Sequence, residues 1–166
     1  MMRTAAELRS RREALGITRQ DLADRVVSPK TGGTVDLRTV QRWEAGEWEA
    51  PETVWAAIEQ LENWVEATVK AVVDGMFELH SKQGVSEGAE LRRYRSKAQY
   101  EKLSDAAGVI PFEVHSHAVW ESVKQLRALG VDTIVTYENS DWSRLTSETC
   151  ANRSGRGMAN PSTPTL

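Results

Sequence analysis

Between Thr18 and Gly46 two short helix signatures flank a glycine-bearing insert, and that arrangement leaves few folds open. Thr18 with Asp21 three residues on is a capping pattern, and Leu22, Ala23 and Val26 then share one helical face. Ala23 is small where another helix backbone must come close. Asp36 is a second N-cap candidate, opening a helix over Leu37–Ala45 that Gly46 can end. Upstream, Thr4 and Glu7 repeat the capping pattern for a first helix to about Leu15, with Leu8 and Leu15 inward and Gly16 as its stop.

In the third of these helices Val40 and Trp43 are spaced i, i+3 and point inward. Leu37, Arg38, Thr39, Gln41 and Arg42 are left outside. Arginine can engage both guanine acceptors, glutamine can pair with adenine or a phosphate, and leucine can touch a thymine methyl. Side chains at a recognition-helix start are those that meet base edges. The alternative is a solvated face on an ordinary helical domain.

Residues 4–64 resemble the lambda-repressor/Cro-like (XRE-type) helix-turn-helix domain, through Thr18, Gln20, Leu22, Ala23, Val40, Trp43, Glu44 and Gly46. The resemblance implies about five helices and binding to double-stranded operator DNA. It makes Arg38 and Arg42 the main base readers, with Thr39 and Gln41 flanking them, and it puts Arg19 and Gln20 on phosphates. The chain departs from the common pattern by a seven-residue insert, Ser28-Pro29-Lys30-Thr31-Gly32-Gly33-Thr34. Pro29 and the glycines forbid simple helix continuation, so the tight turn becomes a loop. Lys30 on it either reaches a phosphate or belongs to tolerated surface.

Charge is unevenly spread. Residues 1–50 hold nine basic against eight acidic side chains, residues 51–90 two against eight, and residues 91–100 four basic and none acidic. Without a broad basic field, non-specific DNA binding should be weak, and specific contacts must carry more of the affinity. A lone Cys150 cannot form an internal disulfide, which suits a reducing compartment. The start M-M-R-T-A-A-E-L is charged, unlike a signal peptide, and no apolar run approaches a membrane span. A cytoplasmic protein is expected.

From Pro51 the pattern runs on to about His80, with Val54, Ile58, Leu61, Val65, Thr68, Val72 and Leu79 in near-heptad rhythm. Such a helix would be about 45 Å long. The alternative is two shorter helices breaking near Asn63, and Gly75 is a second candidate kink. Glu59, Glu62 and Glu66 form an acidic outer face that should stay off DNA. Any apolar stripe beyond the first domain needs a partner, either the C-terminal part or a second copy.

After a linker-like stretch at 81–88, the chain reads as a strand over 89–95 with Leu91 inward, then a brief helix capped by Ser96 holding Tyr100 and Leu103. A stronger helix follows from Phe112 or Glu113 to Leu129, burying Val119, Val123 and Leu126 with Trp120 beside them, and then a strand over 131–137. Helices between two strands suggest a parallel pair. Residues 140–145 suggest one more helical turn, and 146–166 read as disordered. This layout resembles small phage and bacterial regulators related to anti-CRISPR-associated repressors. That resemblance implies autorepression of a short operon from an inverted repeat, through a C-terminal dimerisation domain.

The fold expected is therefore α+β, mostly α. It comprises a five-helix helix-turn-helix domain (1–65), a connecting helix and linker (66–88), an α/β dimerisation domain with two strands and two helices (89–145), and a tail (146–166). Arg92, Arg93, Arg95 and Lys97 have three readings: a charged strand edge, partners for the acidic helix, or a second DNA surface. His115 and His117 would diverge on a helix, and no Cys or His pair completes a zinc site. No nucleophile elbow, Walker loop or dinucleotide fingerprint is present, so no metal, cofactor or catalysis is expected. Two other roles compete with that of a homodimeric repressor. One is an antitoxin-like protein whose C-terminal part binds a partner protein; the other is a monomer using 92–97 as a second DNA contact.

Overall fold

The computed structural model describes residues 3–28, 31–83 and 88–138. In chain order it forms α1 (Ala5–Ala14), α2 (Arg19–Arg25), α3 (Leu37–Ala45), α4 (Glu52–Gln83), β1 (Ala89–Arg93), α5 (Lys97–Leu103), α6 (Phe112–Ala128) and β2 (Thr133–Tyr137). This is the mostly helical α+β arrangement expected. Lys30, the extra turn at 140–145 and the tail lie outside the described residues.

Local chemistry sets the short helices. The Thr4 hydroxyl accepts from the Glu7 amide at 3.1 Å. Thr18 and Asp21 complete a reciprocal box, Asp21 N–H to Thr18 Oγ1 at 3.1 Å and Thr18 N–H to Asp21 Oδ2 at 2.8 Å. Asp36 Oδ1 accepts from Thr39 N–H at 2.6 Å. Each such cap stabilises its helix by about 1 kcal/mol. Gly16 and Gly46 end α1 and α3 with φ of 74° and 75°, a backbone region costly for any side chain.

Bonds across the base of the insert close it as a loop. Val27 and Thr34 form an antiparallel bridge, Ser28 N–H donates to Gly33 O at 2.8 Å, and Val35 N–H donates to Val26 O at 3.1 Å. α2 and α3 are thus joined by a small hairpin-like loop.

α4 is one continuous helix through both Asn63 and Gly75, so the fourth and fifth helices implied by the first resemblance are a single rod here. Nothing between Glu52 and Gln83 forces a break, and a Cβ at Gly75 would meet no neighbour within 4 Å. Its buried stripe is Val54, Trp55, Ile58, Leu61, Val65 and Val69. Thr68 and Val72, expected in the stripe, are half-buried, and Leu79 is exposed. A straight helix of 3.6 residues per turn drifts off a seven-residue repeat, which moves burial from 68 to 69.

Ile110 and, on α6, Val114 and Ala118 complete the cluster that also holds Leu8, Leu22, Val40 and the α4 stripe. α6 buries Val123 and Leu126 as expected, but its buried face extends to residues the sequence reading left out. It buries Val114, Ala118, Ser122, Val123 and Leu126, while Val119 is half-buried and Trp120 is exposed. The buried face takes in small Ala118 and Ser122, and Ser122 satisfies its hydroxyl within the helix by donating to Ala118 O at 2.8 Å.

The strands pair in parallel, Ala89 opposite Thr133 through Arg93 opposite Tyr137. β1 stops at Arg93, and its most buried residue is Ala89; Leu91 is half-buried. At the entrance a Cβ on Gly88 would stand 2.6 Å from Asp132 O, so the chains approach there as only glycine allows. Tyr100 is buried on α5 and donates to Ile110 O at 2.9 Å, whereas Leu103 is exposed. Among the described residues no helix is long and apolar enough to cross a membrane.

Candidate nucleic-acid interface

α3 packs on α1 and α2 through Val40 and Trp43. The side chains it turns outward are Leu37, Arg38 and Gln41, all exposed, with Thr39 and Arg42 half-buried beside them. Positions 37 and 41, and 38 and 42, are one turn apart, so a single helical face carries an apolar contact, an amide and two guanidiniums. Thr39 also uses its backbone N–H on the cap, where that bond holds the Asp36 carboxyl below its ordinary range.

The two arginines differ in their surroundings. The Arg38 side chain is exposed, and its backbone N–H helps the Thr39 amide hold the Asp36 carboxylate. Arg42 lies with its guanidinium carbon 4.3 Å from the centre of the Trp48 ring and Nε 3.8 Å from Glu47 Oε2.

Behind α3 sits an ion cluster that sequence reasoning missed. The Glu44 side chain is 2% exposed. It accepts from Arg12 Nε at 2.6 Å and from Arg19 Nε at 2.7 Å. Arg12, itself buried, also donates Nη1 to Ile17 O at 2.7 Å. Burial pushes the Glu44 carboxyl up, but the hydrogen bonds and charges of Arg12 and Arg19 outweigh it and hold the group below its usual range. The cluster ties α1, α2 and α3 together. Arg19, 38% exposed, reaches it with Nε. Gln20 is exposed and donates to Asp24 Oδ1 at 2.7 Å.

The acidic side of α4 leaves Glu66 exposed but pairs its other acids with arginines. Arg3 pairs with Glu52 and, at 2.8 Å, with Glu59, while Arg11 donates Nε to Glu62 Oε1 at 2.9 Å. Arg3, just ahead of α1, and Arg11 on it therefore spend their charge on α4, while Arg9 pairs with Glu13 and Arg12 with Glu44. Glu59 and Glu62, two of the acids expected on the outer face of α4, thus pair with Arg3 and Arg11. Arg92 instead stands 3.9 Å from Glu90 and 3.8 Å from Glu138, and Arg95 stacks over Tyr137 at 4.8 Å. Arg93 and Lys97 are exposed.

His115 and His117 both lie on α6 and part company as expected on a helix. His115 packs against Trp64, Tyr94 and Tyr100 at ring distances of 6.2, 5.2 and 5.2 Å. His117 Nε2 faces Glu121 at 3.7 Å.

The sequence model described as Aca2/YdiL-like matches residues 2–129 of the chain. No curated protein matches it significantly.

Proposed function

The chain belongs to the Aca2/YdiL-like family, regulators of the anti-CRISPR-associated type, and we propose that it is a sequence-specific DNA-binding repressor of the XRE helix-turn-helix kind. The observation that carries this reading is the split of α3 into a buried back, Val40 and Trp43, and an exposed front of Leu37, Arg38 and Gln41. The scaffold holds the helix from behind and leaves hydrogen-bonding side chains of base-reading chemistry in solvent. Arg19 and Gln20 at the start of α2 are the phosphate contacts of this reading. The protein acts by binding, in the cytoplasm, without catalysis or cofactor.

The reading includes a homodimer on an inverted repeat near its own or an adjacent operon. Ile134 and Tyr137 on β2 are exposed, and a two-stranded sheet is a poor core by itself, which supports a second copy completing it. Selection of bound duplexes from a random pool should return an inverted repeat with half-sites about one helical turn apart. Arg38→Ala should weaken binding to that site by about 1–3 kcal/mol and relax one base-pair position per half-site. Enrichment of no motif would overturn the proposal. Sedimentation of the complex separates two copies per site from a monomer that also uses Arg92, Arg93, Arg95 and Lys97.

A further inference from the structure

The turn that follows α3 folds back onto the helix it leaves. Gly46 reverses the chain at φ 75°, and the amides of Glu47 and Trp48 both donate to the Arg42 carbonyl, at 3.0 and 3.4 Å. The same residue whose carbonyl pins the turn has its side chain gripped by it. The Trp48 ring lies under the Arg42 guanidinium at 4.3 Å, and Glu47 stands beside Nε at 3.8 Å. Trp48 is 49% exposed and lies outside the buried cluster, so burial of the indole in the core does not account for its position.

A guanidinium held over an indole face is attracted there through its carbon, and its N–H edges stay available for acceptors. Stacking also removes part of the rotamer freedom that an arginine must otherwise lose on docking. Among the described residues Arg38, one turn earlier, has no such support. Glu47, 63% exposed, holds Nε loosely and can be displaced.

We infer that Trp48 is a positioning residue that presets Arg42 for one base pair, and that Glu47 competes with the DNA for the same guanidinium. The inference rests on the reading that α3 meets base edges. It makes Arg42 the sharper discriminator of the two arginines and Arg38 the more adaptable one.

The test compares full-length wild type, Arg42→Ala, Trp48→Ala, Trp48→Phe and Glu47→Gln by selection from random duplexes, followed by affinities for the selected site and its single-base variants. Thermal unfolding checks each fold. Trp48→Ala should reduce discrimination about two- to fivefold at the position that Arg42→Ala relaxes and leave the other positions unchanged. Trp48→Phe should restore most of it, and Trp48→Ala added to Arg42→Ala should cost nothing further there. Glu47→Gln should tighten binding. A uniform loss of affinity in Trp48→Ala, or a change at a position Arg42 does not govern, overturns the inference while the repressor reading stands. A wild type that enriches no motif overturns both.

Discussion

Two buried or half-buried titratable groups set how single residues respond to pH. Glu44 lies between Arg12 and Arg19 with its folded-state pKa lowered by them against the cost of burial. A depressed carboxylate contributes stability that is complete above the ordinary carboxylate range and is lost as pH falls through the lowered value. Glu44→Gln leaves two guanidiniums facing a neutral amide and should cost about 3–5 kcal/mol near neutral pH, the upper end discounted for the exposure of Arg19. Unfolding measured against pH should show that deficit shrinking toward acid. His115 behaves differently, because burial lowers its pKa and its Nδ1 has no hydrogen-bond partner among the described residues. The unfolded chain then takes up a proton first, so stability should fall as pH drops below the ordinary histidine range. His115→Phe should remove that part of the slope; an unchanged slope would show that other groups carry it. Neither residue was legible as a buried group in the sequence. Glu44 entered only as one residue of the helix-turn-helix resemblance and His115 only as one of two histidines that diverge on a helix, since burial of a charged or polar side chain depends on elements far away along the chain.

At the scale of elements, the short helices were readable almost to the residue. Thr4, Thr18 and Asp36 cap them, and Gly16 and Gly46 close α1 and α3, through bonds that span only a few residues. The long helices were readable in extent and in most of their buried face, with Val54, Ile58, Leu61 and Val65 on α4 and Val123 and Leu126 on α6 inward as expected. On α4 burial passes through Val69 rather than Thr68, and on α6 it falls on Val114 and Ala118 rather than on Val119 and Trp120. Large apolar residues draw the eye to a face, while a close helix crossing selects small ones. Gly75 illustrates a position that the fold tolerates without using it. It is exposed in the interior of α4 with open space where a Cβ would go. Gly75→Ala should therefore raise stability by about 0.5–1 kcal/mol in chemical denaturation; a loss would reveal a partner that needs the bare backbone.

Across the whole molecule the apolar cluster passes from α1, α2 and α3 along α4 into α6. Arg25 adds a polar tie, donating from α2 to Val109 O at 2.8 Å, and Gly16 lies against Glu113 at the start of α6. The two ends of the chain should then unfold together. Leu61→Ala on α4 should cost about 2–5 kcal/mol, and Val114→Ala on α6 should lower the same single transition. Two transitions, each moved by only one substitution, would show independent units. The amino-acid sequence by itself determined where the short helices begin and end, and which side chains α3 has to offer, because caps, glycine stops and helical periodicity act within a turn or two. Only the tertiary structure decided that Glu44 would be buried between two arginines, that the acids of α4 would hold α1, and that Trp48 would lie under Arg42. Those pairings depend on distances between segments far apart in the chain or on the exact path of a turn, and neither is encoded in local spacing.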